Sequence, residues 1–235
     1  MKKPTILFLI ALSFLCSCRN EKKIDPDLPL LTLSNETGIE LFAIKILMAE
    51  TKSAPEHLKT YFSSGSLTEN DPNQGLQTIP PGKIVLLPGI SFKIDNRQAG
   101  YEIIKRVRPK IELKGLKLFL TDGNSSKDAG AIAIVQCDDE FTPLVYMRTN
   151  GINVGVTNHQ LITRLDSLNR SLDLKLVGAD FDWCEFEIRK TPEDWHQLAE
   201  TLYKLCPDIV EQGTGDVKTL EAGLISSKRL YLWFD

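Results

Sequence analysis

The stretch Leu174-Lys-Leu-Val-Gly-Ala-Asp-Phe-Asp-Trp-Cys-Glu-Phe-Glu-Ile188 decides the fold. Its first part, Leu174 to Ala179, is a mostly apolar run that reads as a strand. Asp180-Phe-Asp182 follows, and Asp side chains that bond nearby backbone favour a turn there. Trp183 to Ile188 then alternates. Cys184, Phe186 and Ile188 point one way, and Trp183, Glu185 and Glu187 the other. Strand, turn and strand predict an antiparallel hairpin. The two aspartates offer a carboxylate pair to a divalent cation, but no third acidic ligand is fixed by spacing, and no metal is expected.

Upstream, Thr157-Asn-His-Gln160 is a capping box, and Leu161, Leu165, Leu168 and Leu172 mark one helical face behind it. Leu116-Lys-Leu-Phe-Leu120, Ala131-Ile-Ala-Ile-Val135 and Leu144-Val-Tyr-Met147 read as strands, the last two as a hairpin. Lys83-Ile-Val-Leu-Leu87 reads as another strand. Residues 99–107 read as a helix stopped near Pro109. Residues 63–81 are rich in Ser, Asn, Gly and Pro and read as a linker. Ser53-Ala-Pro-Glu56 has the form of a helix start, with Ser53 as N-cap. Residues 38–48 are apolar without a period that separates helix from strand.

Downstream, Thr191-Pro-Glu-Asp194 opens a helix whose stripe is Trp195, Leu198, Ala199, Leu202 and Cys206. Residues 207–213 read as a structured turn and residues 216–225 as a short helix. Leu230-Tyr-Leu-Trp-Phe-Asp235 closes on a strand, with Leu230, Leu232 and Phe234 on one side and Tyr231, Trp233 and Asp235 on the other. The pattern predicts an α+β fold: a mixed or antiparallel sheet with helices packed on it, in a single main domain over residues 82–235. Residues 36–81 read as an N-terminal extension and linker.

The other end of the chain speaks of address. Lys2 and Lys3 precede a short apolar run that ends in Leu15-Cys-Ser-Cys18. The run is too short to span a bilayer and fits an export signal. Its end resembles the bacterial lipobox, with Leu three residues before the modified Cys and a small residue just before it. The resemblance implies loss of residues 1–17 and lipid attachment at Cys18, with residues 18–35 as lipidated N-terminus and tether. The expected place is the bacterial cell envelope, lipid-anchored to a membrane on the periplasmic face or cell surface. A palmitate-type anchor holds a domain at the surface without spanning the bilayer.

Composition is ordinary for a globular protein, with a net charge of −3 over 235 residues. That balance argues against nucleic acid as a partner, since phosphate binding needs a basic face. Cys137, Cys184 and Cys206 show no metal-ligand spacing and read first as buried thiols, with pairing of two of them as the alternative.

Several segments together resemble a bacterial domain-of-unknown-function family, number 4253. They are Leu176-Val-Gly-Ala-Asp-Phe-Asp-Trp183, Leu205-Cys-Pro-Asp-Ile-Val-Glu-Gln-Gly213 and Leu230-Tyr-Leu-Trp-Phe-Asp235, with Thr149-Asn-Gly-Ile-Asn153 and Gly100-Tyr-Glu-Ile-Ile104 upstream. The resemblance extends over residues 82–235 and is strongest after Thr149. It implies no activity, cofactor or catalytic residue. The ending Trp-Phe-Asp stands where members often read Trp-Trp-Asp, and Val154 stands where an aromatic residue is common.

No Gly-x-Ser-x-Gly elbow and no phosphate-cradling glycine loop occurs, and no cofactor is expected. His57, His159 and His196 read as surface residues. Asp208 reads as an acceptor for backbone N–H groups after its helix, or else as a functional carboxylate. The candidate binding residues are Trp183, Glu185, Glu187, Asp208, Tyr231, Trp233 and Asp235. If the two alternating strands share a sheet, their outer triplets form an aromatic and acidic face. That face suits a protein partner or a small cationic ligand through cation–π and ion-pair contacts. The competing placement has a helix on the face, with the indoles buried beneath it. The expected function is a membrane-anchored binding or interaction module. The alternative is a hydrolase using Asp and Glu carboxylates around residues 180–187 and Asp208.

Overall fold

The computed structural model describes residues 27–61, 84–122 and 130–235. The signal, Cys18 and the linker over residues 63–81 lie outside them. Seven strands form one sheet: β1 (Pro55–Tyr61), β2 (Ile84–Lys93), β3 (Leu116–Thr121), β4 (Ala131–Gln136), β5 (Leu174–Ala179), β6 (Trp183–Ile188) and β7 (Arg229–Trp233). Their order is β1-β2-β4-β3-β5-β6-β7. β3 and β5 run parallel, and every other neighbouring pair runs antiparallel. The fold is therefore α+β with a mixed sheet.

Helices cover both faces. α1 (Leu28–Thr37), α2 (Leu41–Thr51) and α3 (Arg97–Ile111) bury one face with Ile90, Phe92, Leu118, Leu120, Ile132 and Ile134. α4 (Thr142–Met147), α5 (Asn158–Leu172), α6 (Trp195–Leu205) and α7 (Val217–Ser227) bury the other with Phe119, Val135, Leu176, Phe186, Leu230 and Leu232. Central β3 and β5 are buried along their whole length, which explains why their sequences are apolar apart from Lys117, Thr121 and Lys175. β6 and β7 alternate because α3 leaves part of their outer face open.

The capping box forms as the sequence dictates, with Thr157 and Gln160 bonding reciprocally at the start of α5. Other boundaries differ from expectation for identifiable reasons. Ser53 starts no helix: its Oγ accepts from Lys93 N at 3.1 Å, and the chain continues as edge strand β1. Too few apolar side chains follow it to make a buried helical stripe; among residues 55–60 only Leu58 joins the core. The four apolar residues at 144–147 are helical, not a strand. Asp139 accepts from the backbone N–H of Phe141 and Thr142, both at 2.7 Å, and Pro143 sits in the first turn. α3 continues through Pro109 to Ile111, because its C-terminal turn is fastened to the sheet by Arg108. Asp194, the last residue of Thr191-Pro-Glu-Asp194, caps α6 and accepts from Gln197 N at 3.0 Å. Residues 28–37, at the end of the expected tether, are helical, and residues 38–48 fall largely within α2. The turn after Cys206 is a π-helix, Ile209–Thr214.

The parallel junction between β3 and β5 has a single residue pair in ladder register, Leu120 with Gly178. Side chains supply the rest of the join. Arg108 Nη2 donates to the carbonyls of both Leu118 and Leu176. Glu140 takes Lys117 from β3 at 2.5 Å, Lys175 from β5 at 2.8 Å and Leu176 N at 2.9 Å. Glu112 completes the network, pairing with Lys175 at 2.7 Å and Arg108 at 3.1 Å. At the other end, Asp180 accepts from Thr121 Oγ1 and from Asp122 N.

Burial alone would raise the Glu140 carboxyl, but hydrogen bonds from Lys117, Lys175 and Leu176 N outweigh it and hold it below its ordinary value. A depressed folded value makes this contribution complete above the ordinary carboxylate range and lost as pH falls through the folded one. Glu140→Ala, which strips a shared partner from two buried lysines, is expected to cost about 3 kcal/mol in denaturant unfolding at neutral pH. Glu140→Gln is expected to flatten the acid limb of the stability–pH curve. An unchanged acid limb would show that the junction does not depend on this carboxylate.

Candidate functional site

The two alternating strands do share a sheet. β6 and β7 pair with Trp183 opposite Trp233, Glu185 opposite Tyr231 and Glu187 opposite Arg229. The outer triplets therefore lie on one face, and α3 runs along its margin. Arg97, Tyr101, Ile104 and Arg108 follow the helical repeat and form the stripe that meets it.

Trp183 is 2% exposed and packs in the core on the α3 side. Its ring lies over Gly178, where an added Cβ would come within 2.5 Å of the indole and 3.2 Å of the Leu120 carbonyl. That glycine is what lets the indole cross β5. Its Nε1 donates to Asp122 at 2.6 Å, and the Arg97 guanidinium sits 4.1 Å from the ring centroid while pairing with Asp122 at 2.7 Å. Glu185, 4% exposed, accepts from Tyr101 Oη at 2.6 Å and pairs with Arg229 at 2.6 Å. Arg229 in turn lies 4.4 Å over the Tyr101 ring. The cation positions over Trp183 and Tyr101 are thus filled by the chain's own arginines.

Glu187 is exposed beside this cluster. Tyr231 is exposed, with its ring 6.0 Å from that of Trp183, and Trp233 is half-buried. Asp208 is buried. It accepts from Asn153 Nδ2 at 3.2 Å, Gln212 Nε2 at 3.2 Å and Asp235 N at 3.0 Å. Asp235 is exposed, and its carbonyl accepts from Asn153. Asp208 and Asp235 sit at one corner, away from Glu187.

Four of the segments named for the family resemblance converge on that corner, while residues 100–104 lie within α3. Asn150 N donates to Phe181 O at 3.0 Å, and Phe234 N to Asp182 O at 2.8 Å. Cys206 Sγ donates to Trp233 O at 2.9 Å. Gly151 lies against the Phe234 ring, where any Cβ would clash. The glycine in each of two motifs is thus a packing requirement against a specific aromatic ring.

The carboxylates are mostly committed. Burial raises Asp180 and Asp182, against hydrogen bonds that lower them. Asp180, Glu185 and Asp208 all have their acceptors engaged. His57 pairs with Glu36 and His196 with Glu221, both outside this face. Cys137, Cys184 and Cys206 are free thiols; burial pushes Cys137 up to about 12 and Cys206 up to about 11, so neither is a thiolate near neutral pH. Among the described residues no group of three His, Cys, Asp or Glu is placed to hold a metal ion.

Between α3 and the β6–β7 ribbon runs an open groove of about 620 Å³. Glu185, Glu187 and Arg229 form its floor. Tyr101, Lys105 and Arg108 form the helix wall, and Arg189 extends the sheet wall. Of these, the sequence reading selected only Glu185 and Glu187. Arg229 was within reach, since it continues the Tyr231–Trp233 alternation by two residues. The α3 stripe was visible in spacing, but nothing local says which strands it meets.

Residues 131–235 match the model of a family described as a domain of unknown function (DUF4253). The match covers the segments that converge at the corner, while α3 lies outside it. No curated protein and no solved structure matches the chain at a significant level.

Burial, followed by the hydrogen bond to Glu185, pushes the Tyr101 phenol from 10.0 up to about 12. A raised folded value means this stabilisation is complete below pH 10.0 and lost as pH rises towards about 12. Alkaline spectrophotometric titration of the parent minus Tyr101→Phe is expected to reveal one phenol ionising near the upper value. A difference curve centred on the ordinary value would remove the Tyr101–Glu185 bond. The same variant is expected to lose about 2 kcal/mol of stability.

Proposed function

We propose that this chain is a lipid-anchored binding module of the bacterial cell envelope, acylated at Cys18, with its ligand site in the groove between α3 and the β6–β7 ribbon. One observation carries the binding half of this reading. The groove opens between α3 and the sheet, and its floor and helix wall are held by interlocked polar and charged groups. A floor in which Glu185 is already bonded at both oxygens suits recognition better than proton transfer, since a general base needs a free lone pair and access to a proton. The anchoring half rests on the Leu15-Cys-Ser-Cys18 sequence. No helix among the described residues is long and apolar enough to cross a membrane.

Labelling cells with a palmitate analogue is expected to mark the wild-type chain and not Cys18→Ala. An unlabelled wild type, or label that survives the substitution, would end the anchoring proposal. For the groove, hydrogen exchange of the full chain in a small-molecule extract of the envelope is expected to slow in β6 and β7 and not in β1. Unaltered exchange in all three would remove the groove as the ligand site.

A further inference from the structure

We infer that the groove recognises a compact anionic group, a carboxylate or phosphate, gripped between Lys105 on α3 and Arg189 at the end of β6. This rests on the groove being the ligand site.

The charge count favours an anion. Five cations line the groove: Lys105, Arg108, Arg189, Lys228 and Arg229. Three carboxylates face them: Glu102, Glu185 and Glu187. This is a local positive excess on a chain whose net charge is −3, and a concave site lined by one sign of charge concentrates ions of the other.

The pairing pattern sharpens the count. Glu185 is consumed by Tyr101 and Arg229. Arg108 is consumed by Glu112 and two main-chain carbonyls. Lys228 lies 4.2 Å over the Trp195 ring, and Glu102 accepts from Gln98 at 3.2 Å. Glu187 has no ion-pair contact among the described residues, and its field acts on both Arg108 and Arg229. Lys105 and Arg189 have no ion-pair partner among the described residues and stand on opposite walls.

Both are mounted on rigid elements. Lys105 projects from the middle of α3, one turn from Tyr101. Arg189 N donates to Leu172 O at 3.1 Å, which fixes the base of its side chain. Charge-assisted hydrogen bonds from two anchored donors give both strength and orientation. The expected cationic ligand finds less here, because Arg97 and Arg229 already occupy the aromatic faces.

The test titrates the full chain, in detergent at low salt, with inorganic phosphate and separately with putrescine as a cationic probe. Saturable phosphate binding is expected, weakened at least tenfold by Lys105→Ala with Arg189→Ala and largely restored by Lys105→Arg with Arg189→Lys. Both positions are exposed, so unchanged unfolding curves should verify that the variants fold. Phosphate binding that is non-saturable or indifferent to these variants overturns the inference. Putrescine binding lost in Glu187→Gln would overturn the anion while leaving the groove as a ligand site. No response of either probe to groove variants would remove the groove itself. Vesicles of phosphatidylglycerol against phosphatidylcholine separate the two sources of phosphate. Variant-sensitive binding to the anionic vesicles identifies a headgroup, and binding of free phosphate alone identifies a soluble ligand.

Discussion

The join between β3 and β5 is the constraint on which the molecule depends. It is the parallel contact in an otherwise antiparallel sheet, and it unites β1, β2, β4 and β3 with β5, β6 and β7. Main-chain pairing there is reduced to Leu120 with Gly178. Buried ions do the remaining work at one end, through Glu140, Lys117, Lys175, Glu112 and Arg108. Asp180 does it at the other. Buried charges are costly unless each has its partners, so this arrangement ties register to electrostatics. A slip of one residue along β5 would turn Lys175 to the opposite face and leave Glu140 without it.

The groove follows from the same geometry. Arg108, which bridges the junction, sits on the stripe of α3 that also carries Tyr101 and Arg97. Fastening the end of α3 to β3 and β5 sets the helix beside β6 without covering it. The floor is then fixed by Tyr101, Glu185 and Arg229, and Glu187 is left at the open side. Structural and ligand-facing charges are neighbours on one helix, a few residues apart.

What the sequence disclosed, and what it withheld, divides along the range of the interactions. The β5–β6 hairpin, the α5 capping box and the two-sided pattern of β7 were legible because each rests on contacts within a few residues. The shared face of β6 and β7 was legible as a condition, since alternation fixes which side chains travel together. The helix that meets it was not, because Tyr101 and Glu185 are 84 residues apart. The run at 144–147 was misread for a related reason. Four apolar residues fit either element, and the deciding signals, Asp139 and Pro143, lie at its margin. Pro109 was read as a stop because its missing N–H and its ring disfavour a helix interior. The anchorage of Arg108 to two strands outweighed that local preference. Trp183 and Glu185 share one side of β6, as the alternation requires, yet both are buried, which alternation cannot say.

The indole of Trp183 also has an optical consequence. It is clasped by Asp122 on its N–H and by Arg97 on its face, and it is one of three tryptophans in the chain. Opposite charges on two sides of a ring impose a strong field on its excited state, so its emission should respond to small shifts of either group. Asp122 directly follows β3, and Arg97 opens the helix that walls the groove. With Trp195 and Trp233 replaced by Phe, this chromophore reads out the relative position of the two structural blocks that meet beneath it.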